Sequence, residues 1–260
     1  MHADITRLDL RLRRRSTIGY TAGLALYSLA VVAVYPAFER SSSLNGLSGS
    51  TAAALFGITG PLTSPGGWLN GNVYANFFPL IMLLLTVGYG AACLAGQDED
   101  GTLGLIATLP VRRRAIVCQK TLAMALQALL LACGVTVCVL AGRSFHLTVS
   151  PGHIVGIALA LALMGIDVGL ITMAAGAATG RRGTALGIGA ALGAASYLLS
   201  SLAVAIPGLR PGRYVSLLYW SVGDNQISNG VTVIDFMVLL AVGLAALAAG
   251  VIAFRRADLS

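Results

Sequence analysis

Residues 154–178 read IVGIALALALMGIDVGLITMAAGAA and contain one charged side chain, Asp167. The stretch is longer than the roughly 20 apolar residues that cross a ~30 Å hydrocarbon core as an α-helix. Lipid offers the backbone no hydrogen-bond partners, so a spanning segment must satisfy its own N–H and C=O groups, which favours a helix. The stretch therefore predicts a transmembrane helix with an ionisable group near its middle.

Five further stretches have the same character, and together they define the fold class. The chain of 260 residues is 57% hydrophobic and only 10% charged, whereas soluble domains carry about 25% charged residues. The short alternating segments of a membrane β-barrel are not visible. We expect an all-α membrane protein with six transmembrane helices, at residues 17–38, 73–95, 116–142, 154–178, 184–206 and 231–254.

The basic residues predict the orientation of these spans. In a six-span arrangement thirteen of the 17 Lys and Arg residues fall on one side of the membrane, and Arg40, Arg143, Arg210 and Arg213 fall on the other. The positive-inside rule then places both termini in the cytoplasm. The net charge of +7 is explained by this arrangement, so we expect no nucleic-acid partner. The thirteen are Arg7, Arg11, Arg13, Arg14, Arg15, Arg112, Arg113, Arg114, Lys120, Arg181, Arg182, Arg255 and Arg256.

The segment before the first span is amphipathic. Ile5, Leu8 and Leu12 recur at helical spacing, and arginines occupy another face. Such a helix lies in the membrane interface with its basic side toward anionic headgroups. We therefore expect an interfacial helix over residues 1–16, followed by a transmembrane domain over 17–260. The alternative is a disordered basic tail.

The loop between spans 2 and 3, residues 96–115, is the strongest concentration of charge in the chain. A proline ends helices at or before the preceding residue, so the sequence predicts a short helix over 98–109 with acids at its start and an apolar stripe. Such a helix at the membrane surface can seat in a groove of a soluble partner. An ordinary loop whose arginines only anchor the topology is the alternative. The candidate contact residues are Asp98, Glu99, Asp100, Gly101, Thr102, Leu103, Ile106, Pro110, Arg112 and Arg113.

This loop also carries a family resemblance. The pattern Ala95-Gly96-x-Asp98-Glu99-x-Gly101-Thr102-Leu103, then Leu109-Pro110-Val111-x-Arg113 and Lys120, resembles the signature of ABC-2 type permeases, the membrane subunits of ATP-binding-cassette exporters. The ending 253–259 is similar to the usual C-terminus of that family. Gln97, Asp100 and Arg112 depart from the residues common there. The resemblance implies a connecting helix over 1–16, a coupling helix in the loop 96–115, and a gating role for the loop before span 6.

The partners follow from the resemblance. It implies two cytosolic ABC ATPase subunits per complex, a second permease copy or a different permease subunit, and the lipid bilayer of a bacterial cell membrane. ATP and Mg would be bound by the ATPase subunits, because this chain has no G-x4-G-K-[ST] motif and its one lysine, Lys120, follows Gln119. We expect no cofactor, catalytic residue or metal site in this chain. The substrate would be a hydrophobic or amphipathic drug, antibiotic or lipid.

Two features keep other functions open. Asp167 lies near the predicted bilayer centre, where ionisable groups usually face the bundle interior. It is either a contact on the substrate path or a proton carrier, or it is a buried group bonded to Thr172, Ser196 or Tyr197. A proton-coupled secondary transporter that uses Asp167 is therefore the chief rival function, and a non-transporting membrane scaffold is a third. The loop 207–230 holds either interfacial aromatic residues or a re-entrant pair of half-helices.

Overall fold

The computed structural model describes residues 4–38, 61–101 and 113–256, and within these ranges the chain forms helices and no strand. Six of the helices are long and apolar enough to cross a membrane, so the predicted all-α fold with six helices of spanning length is confirmed for the described residues. The helices are α1 (Asp4–Phe38), α2 (Pro65–Glu99), α3 (Arg113–Ala141), α4 (Pro151–Thr179), α5 (Arg182–Ala205), α6 (Leu217–Val222), α7 (Gln226–Asn229) and α8 (Val233–Arg256).

Helix α4, which contains the stretch 154–178, is the centre of the bundle. It packs against α2, α3, α5 and α8, and side chains on all its faces are buried. A helix that is apolar all round is buried in a protein core or in a membrane. Glycine permits the closest approach: a Cβ at Gly169 would lie 2.5 Å from the Met124 sulfur, and Gly90 of α2 faces the Gly169 carbonyl. Helix α4 is therefore the span most enclosed by protein.

Contacts between chain segments define the two ends of the bundle. At the end that we call the terminal end, the Ile5 N–H donates to Gln119 Oε1 (3.2 Å) and Arg113 Nη1 donates to the Phe254 carbonyl (3.3 Å). The beginnings of α1 and α3 therefore lie beside the end of α8. At the opposite end, Trp68 Nε1 of α2 donates to the Val31 carbonyl of α1 (3.0 Å). The helices thus alternate in direction along the chain.

Helix α1 extends through the segment that was expected to form an interfacial helix. It runs without a break from Asp4 to Phe38, so residues 4–16 continue directly into the first span. Neither proline nor glycine interrupts the chain before Gly19. The predicted apolar face also divides: Ile5 is buried, whereas Leu8 and Leu12 are exposed.

Helix α2 begins eight residues before the predicted span. Ser64 has an extended backbone and accepts a hydrogen bond from the Gly67 N–H (3.1 Å), and Pro65 occupies the first helical position. A serine cap followed by proline is a typical helix start. The helix contains two π-helical turns, Asn70–Tyr74 and Ala92–Gly96, and a turn at residues 75–76.

The loop 207–230 is ordered and partly helical. A 3-10 helix, Pro207–Val215, precedes α6 and α7, which pack against α4. The turn between α6 and α7 has two consecutive residues in the left-handed region, Asp224 (φ 49°) and Asn225 (φ 56°). Asp and Asn are the residues other than glycine that tolerate this conformation best. The turn directs the Asp224 carboxylate toward Tyr219, whose hydroxyl donates to it (2.6 Å).

Candidate functional sites

The acidic residues 98–100 of the loop 96–115, which we call the charged loop, lie at the end of α2. Residues 97–99 form the last helical turn, Asp100 ends it, and Gly101 adopts a left-handed conformation (φ 67°). The predicted helix start at Asp98 is therefore wrong, because the acids lie at a helix C-terminus, where the helix dipole disfavours them. The predicted contact residues Thr102, Leu103, Ile106, Pro110 and Arg112 lie outside the described residues.

The described residues on both sides of 102–112 contact other helices. Glu99 Oε1 accepts a hydrogen bond from the Arg182 backbone N–H (2.9 Å), which is one of the unpaired donors at the start of α5. On the other side, the Arg113 guanidinium donates to the Phe254 carbonyl and lies 5.9 Å from the Phe254 ring centroid. A cation is favourable at the C-terminus of α8. Displacement of this loop would therefore act on α5 and α8 as well as on α2 and α3.

Asp98 occupies a different position from its neighbour Glu99. It lines a cleft of about 750 Å³ at the terminal end, together with residues 176–180 of α4 and the last turns of α8. Asp100 and Gly101 are exposed. Of the predicted contact residues that the structure describes, Asp98, Asp100 and Gly101 thus face accessible space, whereas Glu99 and Arg113 make intramolecular contacts.

A buried polar cluster, which we call the lysine cluster, joins α1, α2 and α3 at the terminal end. The Lys120 side chain is 0% exposed. Its ammonium group donates to Gln97 Oε1 (2.8 Å) and lies 3.4 Å from Asp9 Oδ2. Tyr89 donates its hydroxyl to the same Asp9 oxygen (2.5 Å), and the Arg13 guanidinium lies 4.8 Å from the Tyr89 ring centroid. The cluster therefore fixes α1 to the part of α2 next to the charged loop.

Sequence reasoning singled out Lys120 and missed Asp9. Two features of the sequence indicated this pair. Asp9 is an acid within an arginine-rich amphipathic segment, and Lys120, the one lysine of the chain, lies near the start of a span. A buried lysine or carboxylate is rarely stable without a partner, so these two residues could have been paired. The second turn of α1 is thereby held by α2 and α3, which explains why residues 4–16 are not an independent helix.

A cavity that we call the lateral cavity has a volume of about 920 Å³ and lies between α2, α4 and α5. Tyr27 of α1 and Leu218 of α6 also line it. The α2 and α5 walls meet at the terminal end through Glu99 and Arg182. Most of the lining is apolar, including Leu80, Leu84, Val87, Val168, Leu186 and Leu198. The cavity suits an apolar molecule or an apolar part of one.

Asp167 lies in another part of the bundle. It is 1% exposed and faces α8, where a Cβ at Gly243 would lie 2.5 Å from Asp167 Oδ1. It is not among the described residues that line the lateral cavity. Its Oδ2 atom forms no hydrogen bond within the described part of the chain.

Two of the three hydrogen-bond partners expected for Asp167 donate their hydroxyl groups elsewhere. Thr172 donates to the Val168 carbonyl (2.7 Å), and Tyr197 donates to Asn76 Oδ1 (2.7 Å). Thr172 and Tyr197 therefore do not bond to the Asp167 carboxyl group as donors.

No protein-family model matches the sequence, and no curated protein matches it either.

Proposed function

We propose that this chain is the permease subunit of an ABC exporter in a bacterial cell membrane. ATP hydrolysis by two separate cytosolic ATPase subunits, which bind ATP and Mg, drives efflux of a hydrophobic or amphipathic substrate. Two permease subunits, either identical or different, form the pathway. The resemblance of the loop 96–115 and Lys120 to the ABC-2 signature motivates this proposal. The terminal end would then face the cytoplasm.

The contacts of Glu99 and Arg113, which flank the residues 102–112, carry the proposal. Glu99 ties the end of α2 to the start of α5, and both helices form walls of the lateral cavity. Arg113 ties the start of α3 to α8. A partner that displaced this loop would move two walls of the cavity together, which is the coupling that an ATP-driven permease requires. The lysine cluster adds α1 to the moving unit.

The test is the docking of an ATPase at this loop. The chain is co-expressed with the P-loop ATPase that we expect in the neighbouring reading frame, and the complex is purified through a tag on the permease. Leu103→Asp, on the apolar stripe predicted from sequence, should abolish co-purification and stimulation of ATPase activity. Phe145→Asp is the control, because Phe145 is exposed at the opposite end. If Leu103→Asp leaves both readouts unchanged, the loop is not the docking site.

A second candidate function rests on Asp167. A buried carboxyl group with an unbonded oxygen is a feature of proton relays within membranes. A proton-coupled transporter would lose transport in Asp167→Asn and in the presence of an uncoupler, and it would keep transport after ATP depletion. An ABC exporter predicts the reverse dependence on the uncoupler and on ATP.

A further inference from the structure

The lateral cavity has a gradient of polarity along α5. Its lining on α5 extends from Leu186 to Leu198, a rise of twelve residue steps or about 18 Å at 1.5 Å per residue. This length is close to the ~15 Å depth of one leaflet, half of a ~30 Å hydrocarbon core. Polar groups lie toward the opposite end of the bundle, where Tyr197 donates to Asn76 and Tyr27 donates to the Asn72 carbonyl (3.0 Å).

A second cavity continues this path. We call it the arginine cleft; its volume is about 570 Å³. Leu218 lines both cavities. On α5, Leu198 is the last residue that lines the lateral cavity, and Ser200, two positions later, is the first that lines the arginine cleft. On α2, Ala75 lines the arginine cleft and Asn76 the lateral cavity. The two cavities are therefore adjacent.

The arginine cleft carries an excess of positive charge. Arg210 and Arg213 line it, and Asp224 is the one acid among its lining residues. Arg213 is occupied, because Nη1 donates to Asp224 Oδ1 and Nη2 donates to the Tyr214 hydroxyl, each at 3.1 Å. Arg210 is exposed, and its guanidinium group forms no ion pair or hydrogen bond with another described residue. One positive charge in the cleft is therefore not neutralised.

The hydrogen bonds around Asp224 involve groups with shifted pKa values. Burial is the larger cause and the hydrogen bond with Asp224 the next, and both raise the pKa of Tyr219 above its ordinary value. Its hydroxyl thus stays protonated at neutral pH and continues to donate to Asp224. The hydrogen bond with Tyr214 raises the pKa of Arg213 further above its ordinary value. Asp224 is thereby held by two donors, and Arg210 remains the available cation.

We propose that the lateral cavity and the arginine cleft form one binding site for a membrane phospholipid or lysophospholipid, with an acyl chain in the lateral cavity and the phosphate at Arg210. The charge complementarity and the length of the apolar wall carry this assignment. As a statement about exported cargo it rests on the proposed function. As a statement about binding it requires no ATPase, so the two can fail separately.

The experiment measures lipid binding to the full chain, purified alone in detergent, by native mass spectrometry. The probes are 1-palmitoyl lysophosphatidate and the uncharged 1-palmitoyl glycerol, which share the acyl chain. A charge-assisted hydrogen bond from arginine to phosphate should give the phosphate lipid about a tenfold advantage in affinity. Arg210→Gln should remove that advantage and leave the glycerol lipid unaffected. Arg143→Gln is the matched control, because Arg143 is also exposed at the opposite end but lies outside the cleft.

A second pair of variants tests the acyl-chain part of the site. Ala194→Trp places an indole in the lateral cavity and should weaken both lipids, whereas Ala191→Trp, exposed on the same helix and outside the lining, should weaken neither. Equal affinity of the two lipids, with no effect of Arg210→Gln, would overturn the headgroup assignment. Unchanged binding in Ala194→Trp would overturn the cavity assignment. The Ala194→Cys variant tests contact with a second copy of the chain. If it forms disulfide-linked dimers spontaneously and these dimers bind neither lipid, the lateral cavity is an interface between two copies instead.

Discussion

The lysine cluster makes a quantitative prediction about stability. Lys120→Met removes the ammonium group and leaves the Asp9 carboxylate, whose side chain is 6% exposed, with the Tyr89 hydroxyl as its remaining described donor. Loss of one partner of a buried ion pair costs about 3–5 kcal/mol. For a chain of this size each kcal/mol lowers the Tm by about 2–4 °C. We therefore expect Lys120→Met to lower the Tm of the detergent-solubilised protein by about 6–20 °C, measured by intrinsic fluorescence during heating.

A double-mutant cycle separates the ion pair from general effects of substitution. Asp9→Leu combined with Lys120→Met removes both charges, so its loss of Tm should be clearly smaller than the sum of the two single losses. Arg181→Met is the control, since Arg181 is an exposed cation at the same end and should change the Tm little. Strictly additive losses, or a Lys120→Met protein as stable as the parent, would refute the reasoning that Lys120 and Asp9 stabilise each other.

Three further predictions concern α2 and α4. Gly90→Val should destabilise the bundle by about 1–3 kcal/mol in a reversible unfolding assay, because its Cβ would meet the Gly169 carbonyl; Gly88→Val, with open space at that position, should cost little. Glu99→Gln should keep ATPase stimulation, since an amide oxygen can still accept from Arg182, whereas Glu99→Ala should reduce it; equal loss in both would assign Glu99 to the ATPase contact. Asp167→Asn should leave the Tm no lower, because no described group bonds to Oδ2; a lower Tm would reveal a partner that the carboxylate requires.

The architecture could be predicted from sequence because its determinants are local. Twenty apolar residues in a row specify a spanning helix whatever surrounds them, and the stretch 154–178 is apolar on all faces, as a central helix must be. The boundaries depended on details with weaker signals. Ser64 and Pro65 together extend α2 beyond the apolar run, and α1 passes residue 16 because nothing in the sequence there stops a helix.

The site could be predicted only in part, because its contacts join distant segments. The charges of Asp98 and Glu99 were visible, but the bond from Glu99 to Arg182 depends on how α2 and α5 meet. The pairing of Asp9 with Lys120 spans 111 positions along the chain and required the packing of α1 on α3. The arginine cleft could not be predicted because it depends on the fold of the loop 207–230. Its turn uses Asp224 and Asn225 in the left-handed region, and the sequence predicts that conformation much less strongly for these residues than for glycine.

The central claim is that ATP hydrolysis in a separate subunit controls access to the lateral cavity. The most direct measurement uses Ala194→Cys, in a chain whose four native cysteines are replaced by serine, reconstituted into nanodiscs with the partner ATPase. The rate of labelling of this thiol by a polar maleimide should change when ATP, Mg and vanadate trap the ATPase, and a P-loop lysine substitution in the ATPase should abolish the change. The account would be contradicted if the labelling rate did not change with nucleotide. It would also be contradicted if the pH dependence of that rate differed between the protein with Asp167 and the Asp167→Asn variant.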